Sequence, residues 1–92
     1  MSDAQAGFRV TGQVQGVGYR VWTQRTGTLL GLRGAVRNVR DGSVEVHVAG
    51  AAEAIAALEQ QLSQGPPGAR VDRVVRVAST MSIPSFGFGI QR

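Results

Sequence analysis

The sequence predicts an α+β fold: one antiparallel sheet, both helices on one face, and a short extra strand at the C-terminal end. Three observations predict it. Runs with period-two alternation are interleaved with two runs at helical spacing, in the order strand, helix, hairpin, helix, strand. The stretch "RDGS" at 40–43 joins two alternating runs, and Asp-Gly between such runs is a strong hairpin signal. The apolar residues of the strands fall on one parity, so the sheet has a face that two amphipathic helices can cover. This βαββαβ order is that of a ferredoxin-like sandwich.

Each element has its own signal. In 8–14 (FRVTGQV), Phe8, Val10, Gly12 and Val14 share one side, while Arg9, Thr11 and Gln13 share the other. In 21–30 (VWTQRTGTLL), Trp22, Thr26, Leu29 and Leu30 recur at helical spacing, and Gly31 supplies a stop. Gly27 inside that helix costs about 1 kcal/mol against alanine. Leu32, Gly34 and Val36 alternate with Arg33, Ala35 and Arg37. After the turn, Val44, Val46 and Val48 face one way, and Ser43, Glu45 and His47 the other. Ala51, Ile55, Leu58 and Leu62 form the stripe of a second helix, ended by "GPPG" at 65–68. Residues 69–77 (ARVDRVVRV) read as a strand and 86–90 (FGFGI) as a short final one. Residues 1–6 read as a short flexible N-terminus and 7–92 as one domain, with no internal repeat.

Composition narrows the function. Hydrophobic residues make up 42% of the 92 and charged residues 17%, a globular balance. A chain this short buries roughly 60–65% of its unfolded surface, enough for one modest core. Cysteine is absent, which removes disulfides, thiolate nucleophiles and cysteine-based zinc sites. The N-terminus MSDAQA has no apolar h-region, and no apolar run nears the ~20 residues of a membrane span. A cytoplasmic protein without membrane contact is the expectation. Net charge is +4, and all ten basic residues are arginine. That balance suits an anionic partner, although it also fits solubility alone. The absence of lysine removes a Walker-type phosphate lysine and Schiff-base chemistry.

The motif that stands out is "GQVQGVGYR" at 12–20, between the first strand and the first helix. Gly16 and Gly18 permit positive φ and close approach of a ligand. Successive N–H groups in such a turn converge into an anion nest, and the helix N-terminus adds unpaired donors. Arg20 falls in the first helical turn, where a cation opposes the helix dipole unless an anion lies between them. Its planar fork matches a phosphate bidentately. The competing reading is a tight strand-to-helix connection with no ligand.

Few other groups carry chemistry. His47, on the parity away from the valines, is expected to be solvated. Asp41 has the geometry of a turn residue, and Asp3 lies in the N-terminal tail. The remaining carboxylates form no sequence cluster for a metal. An enzyme built this way needs an activated substrate. Acyl phosphates qualify, because the departing carboxylate has a conjugate acid of pKa about 4 and needs no general acid. Loose phosphoryl transfer then asks for positioning and charge stabilisation. Asn38 continues the Leu32–Gly34–Val36 parity to the sheet's end, where its amide could hold a water and a phosphate; it could equally close the hairpin through local hydrogen bonds.

"VTGQVQGVGYR" (10–20), "LGLRGAVRNVRDGSVEV" (30–46), "GPPGARVDRV" (65–74) and "FGFGI" (86–90) together resemble the acylphosphatases, in order and over nearly the whole chain. The resemblance implies hydrolysis of acyl phosphates to a carboxylate and inorganic phosphate, with no metal, cofactor or covalent intermediate, by a monomer. It implies that Arg20 binds the phosphate, that Asn38 orients the attacking water, and that the amides of Gln15, Gly16, Val17, Gly18 and Tyr19 complete the cradle. Inorganic phosphate or sulfate is the expected occupant of the loop. Four departures stand out: Tyr19 for the usual Phe, Gly27 for Ala, Ala35 for an aromatic residue, and an Ile90-Gln91-Arg92 end for Ile-Arg-Tyr.

Two other classes of function compete with this one. "SFGFGI" shares aromatic spacing with a ribonucleoprotein motif, but Pro84 and Ser85 stand where that motif needs a basic residue and glycine. Aromatic content of 5% is thin for base stacking, so nucleic acid is not an expected partner. A binding module that uses the cradle without turnover would share the same anion site; Arg20 and Asn38 together argue for turnover.

Overall fold

The computed structural model describes residues 3–78 and 81–91. Within them lie strands β1 (Ala4–Gln13), β2 (Arg33–Asn38), β3 (Val44–Gly50), β4 (Arg70–Val77) and β5 (Phe88–Gln91), and helices α1 (Tyr19–Leu29) and α2 (Ala52–Gln64). The strands form one sheet in the order β4-β1-β3-β2-β5. The first four pair antiparallel, as expected. β5 differs, joining β2 in parallel. The reason is topological: β4 and β5 sit on opposite edges, and the chain re-enters at the sheet end where β4 stops.

The helix-covered face carries the core. Phe8, Val10, Val36, Val44, Val46 and Val48 present no exposed surface, and Ile55, Leu58 and Leu62 of α2 pack onto them. β1 begins at Ala4, so residues 4–6 belong to the sheet and not to a flexible tail. Ala6 continues the Phe8–Val10 parity and is buried, which draws the strand back to pair Ala4 with Gly50. Residues 1 and 2 lie outside the described residues, as does Arg92 of the chain's last three. Asp3 is ion-paired with Arg33 at 3.0 Å.

Helix α1 starts two residues earlier than its periodicity suggested, and its buried face is Tyr19, Thr23 and Gly27. Leu29, expected in the core, is 88% exposed. The tighter constraint is at Gly27, where a β-carbon would run into the Phe88 ring of β5. The Gly27 departure and the Phe88 position therefore explain one another.

His47 is also corrected. It does point away from the helices, but it is fully buried. β4 and β5 lie on opposite edges, and residues 81–87, which lead into β5, lie on this second face. Met81 is buried, and Arg33 donates to the Pro84 carbonyl at 3.0 Å. In the sheet, His47 stands between Gly7 and Ala35. A β-carbon at Gly7 would meet its ring at 2.8 Å. Ala35, where an aromatic residue was the family expectation, leaves room for the same imidazole.

Candidate active site

The topology gathers the site at one end of the sheet. β1 and β2 both run antiparallel to β3, and β5 runs with β2. The C-terminal ends of β1, β2 and β5 therefore meet there, beside the N-terminus of α1. Register refines this: Asn38 pairs with Val44, which lies one step from the Arg37–Gln91 pair.

A pocket of about 120 Å³ opens at that end. Since roughly 10–15 Å³ suffices for one water, it has room for a small anion. Gly16, Gly18, Tyr19, Arg20 and Asn38 line it, bringing together five of the seven residues singled out from sequence. Val14, Val21 and Ile90 complete the lining. Gln15 and Val17 do not line it. Val17 packs toward the core. The Gln15 side chain donates to the carbonyls of Val39 (2.8 Å) and Ser43 (2.9 Å), tying the loop to the β2–β3 turn.

Gly16 and Gly18 sit at φ +76° and +77°. No atom lies within 4 Å of a β-carbon built at either position, so conformation rather than crowding calls for glycine. Gly18 is the N-cap of α1 and offers no side chain to its amides; no acidic residue stands in the first turn. The first intrahelical bond runs from Trp22 N–H to the Gly18 carbonyl (3.0 Å), leaving the amides of the preceding turn outside the ladder.

Arg20 is steadied by its Nη1, which donates to the Gln91 carbonyl at 3.1 Å. Asn38 Oδ1 is buried and accepts no hydrogen bond among the described residues. Leaving such an oxygen unpaired costs about 1–3 kcal/mol, and the two ends of the amide interchange by a half-turn. The hairpin is closed without it. Val39 N–H donates to Ser43 O at 2.8 Å, and Asp41 Oδ1 accepts from the Ser43 N–H (2.9 Å) and hydroxyl (2.6 Å). Asp41 is the turn residue its sequence suggested.

Tyr19 carries a hydroxyl that the usual Phe lacks, and that hydroxyl has a partner. It donates to the Leu62 carbonyl in the last turn of α2 at 2.7 Å. Burial pushes its pKa up, so it stays a donor. Sequence reading missed the Gln15 side chain and the Gln91 carbonyl. A glutamine beside glycines hints at the first; a backbone carbonyl leaves no trace in sequence.

The family model described as Acylphosphatase matches residues 6–90. This chain belongs to the acylphosphatase family. The acylphosphatase of Mesorhizobium japonicum is 58% identical over 66 residues, covering 72% of this chain and 70% of that protein. An acylphosphatase of Xanthomonas oryzae is 55% identical over 71 residues, with 77% and 81% covered. The crystal structure of the Bacillus subtilis acylphosphatase matches with a TM-score of 0.87 and 30% identity, over 96% of this chain and 98% of that one. The chain is thus an acylphosphatase, a hydrolase, on the fold its sequence predicted. The aromatic spacing of "SFGFGI" has a packing role in this acylphosphatase: Phe88 is buried against α1, and only Phe86 is exposed. No described helix is long and apolar enough to cross a membrane.

Proposed function

We propose that this acylphosphatase binds the phosphoryl group of an acyl phosphate in the loop 15–20, against Arg20, and directs a water onto phosphorus from Asn38. The loop amides and the Arg20 guanidinium meet the charge on the non-bridging oxygens. The Asn38 amide spans water and phosphate, accepting from one and donating to the other. The new P–O bond forms as the bond to the acyl oxygen breaks. The carboxylate departs with its electron pair, and the water's proton ends on the phosphate or in solvent. No metal and no covalent intermediate enter this scheme. The reading extends to a monomer acting in the cytoplasm, with inorganic phosphate or sulfate as simple ligands of the loop.

One observation carries the reading: a buried amide oxygen without a partner among the described residues, in the same pocket as Arg20 and the two positive-φ glycines. A plain strand-to-helix connection has no use for it. The test is hydrolysis of benzoyl phosphate in EDTA. We expect Arg20→Ala to lower kcat/KM by about 100-fold or more. Asn38→Ala should lower kcat by a similar factor while inhibition by inorganic phosphate changes little. Variants that fold, bind phosphate and turn over like wild type would sink it. A wild type that binds phosphate through Arg20 but is inert would make this a binding module.

A further inference from the structure

The pocket has two kinds of wall. Gly16, Gly18, Arg20 and Asn38 supply the polar part, and Val14 and Tyr19, each 1% exposed, form its floor. Val21 and Ile90 differ, being 44% and 36% exposed while lining the same pocket. Exposed lining marks the mouth. Val21 projects from the first turn of α1, and Ile90 comes from β5 on the helix side, in register with core Val36. Arg20 spans the same two elements through its bond to the Gln91 carbonyl. Single exposed aliphatic residues are ordinary on a protein surface, but two converging at the mouth of an anion site are not scattered.

We infer that Val21 and Ile90 form an apolar shelf that receives the acyl group, so that the enzyme selects uncharged hydrocarbon acyl phosphates. This rests on the phosphate-cradle reading above. With the phosphoryl group held inward by the loop and Arg20, the acyl carbon must leave through the mouth and pass over the two side chains. Among the described residues lining the pocket, Arg20 is the single cation. A substrate with a second phosphate would find no second cation among those described residues. Each additional methylene of a straight acyl chain instead removes apolar surface from water, on both chain and shelf.

The experiment is a series of acetyl, butyryl and hexanoyl phosphates, each corrected for its spontaneous hydrolysis. Wild-type kcat/KM should rise about twofold per methylene, roughly half the effect of full burial on so shallow a shelf. The slope should flatten in Val21→Ser and flatten further in Val21→Ser/Ile90→Ser. Because Ile90→Ser could loosen β5, Val21→Thr is included: it keeps the branched shape, adds a hydroxyl, and should reduce the slope alone. A flat wild-type slope overturns the shelf. So does a loss equal at every chain length, which would mean that Val21 acts through the position of Arg20. If Arg20→Ala hydrolyses acetyl phosphate as well as wild type does, the cradle itself fails, whatever the slopes. A slope that is flat beside an inactive Arg20→Ala overturns the shelf alone.

Discussion

Gln15 shows how one side chain can couple two parts of a site without touching the pocket. Its amide nitrogen bridges the carbonyls of Val39 and Ser43, at either end of the turn that follows Asn38. The loop and the asparagine are thereby held to one spacing. Misplacing a reacting group by about 1 Å can cost around 100-fold in rate. We expect Gln15→Ala to lower kcat/KM for acyl phosphates by about tenfold with the melting temperature nearly kept, because each carbonyl keeps a backbone donor, Gly42 N–H for Val39 and Val39 N–H for Ser43. Unchanged kinetics would show that the loop holds its shape alone. Tyr19 answers a different need. Its hydroxyl meets one of the last carbonyls of α2, which no later helical turn can satisfy, so the departure from phenylalanine links the two helices.

At the scale of elements, the contact between α1 and β5 sets how the edge strand closes the site. Gln24 donates to the Phe88 carbonyl at 2.7 Å, Arg20 donates to the Gln91 carbonyl, and Gly27 lets the Phe88 ring approach the helix closely. Helix propensity alone says that Gly27→Ala should stabilise by up to about 1 kcal/mol. The overlap with Phe88 says the opposite, since overpacking a core costs about 1–3 kcal/mol. Packing wins on magnitude. We expect a lower urea midpoint for Gly27→Ala and weaker activity as β5 shifts, with both recovered in Gly27→Ala/Phe88→Leu. A more stable single variant would mean that β5 adjusts freely.

Across the whole molecule, the face without helices holds a charge network in which Glu45 and His47 are buried and Arg9 and Arg37 half-exposed. Glu45 accepts from Arg9 at 3.0 Å and from Arg37 at 2.9 Å, and His47 lies 3.5 Å from it. Burial lowers the His47 pKa below its ordinary 6.5, more than the Glu45 carboxylate raises it, and Arg37 lowers it further. For Glu45, burial pushes upward, but the hydrogen bonds from Arg9, Arg37 and His47 together hold it below its ordinary 4.5. Both shifts have one sign for stability. Below about pH 6.5 the unfolded chain takes up a proton that the folded His47 resists, and below about 4.5 it takes up one that the folded Glu45 resists. Stability therefore falls on acidification, first through histidine. The urea midpoint should be lower at pH 5.5 than at 7.5, and His47→Gln should remove most of that difference. An equal midpoint at the two pH values, or a higher one at 5.5, would contradict this.

That buried histidine also marks where sequence reading stopped. Legible in the residues alone were the element order, the helix-covered face, the turn at Asp41-Gly42 and five of the residues that line the pocket, Gly16, Gly18, Tyr19, Arg20 and Asn38. Those follow from local periodicity, from the conformations glycine permits, and from side-chain types, all of which act within a few residues. The sequence did not determine the parallel seat of β5, the burial of His47, the true inner face of α1 or the Gln15 bridge. Each depends on which distant segment comes to lie alongside: residues 81–87 under the sheet, Phe88 against Gly27, the 39–43 turn beside the loop. Parity tells which side of a sheet a residue points to; only the path of the rest of the chain decides whether that side is wet.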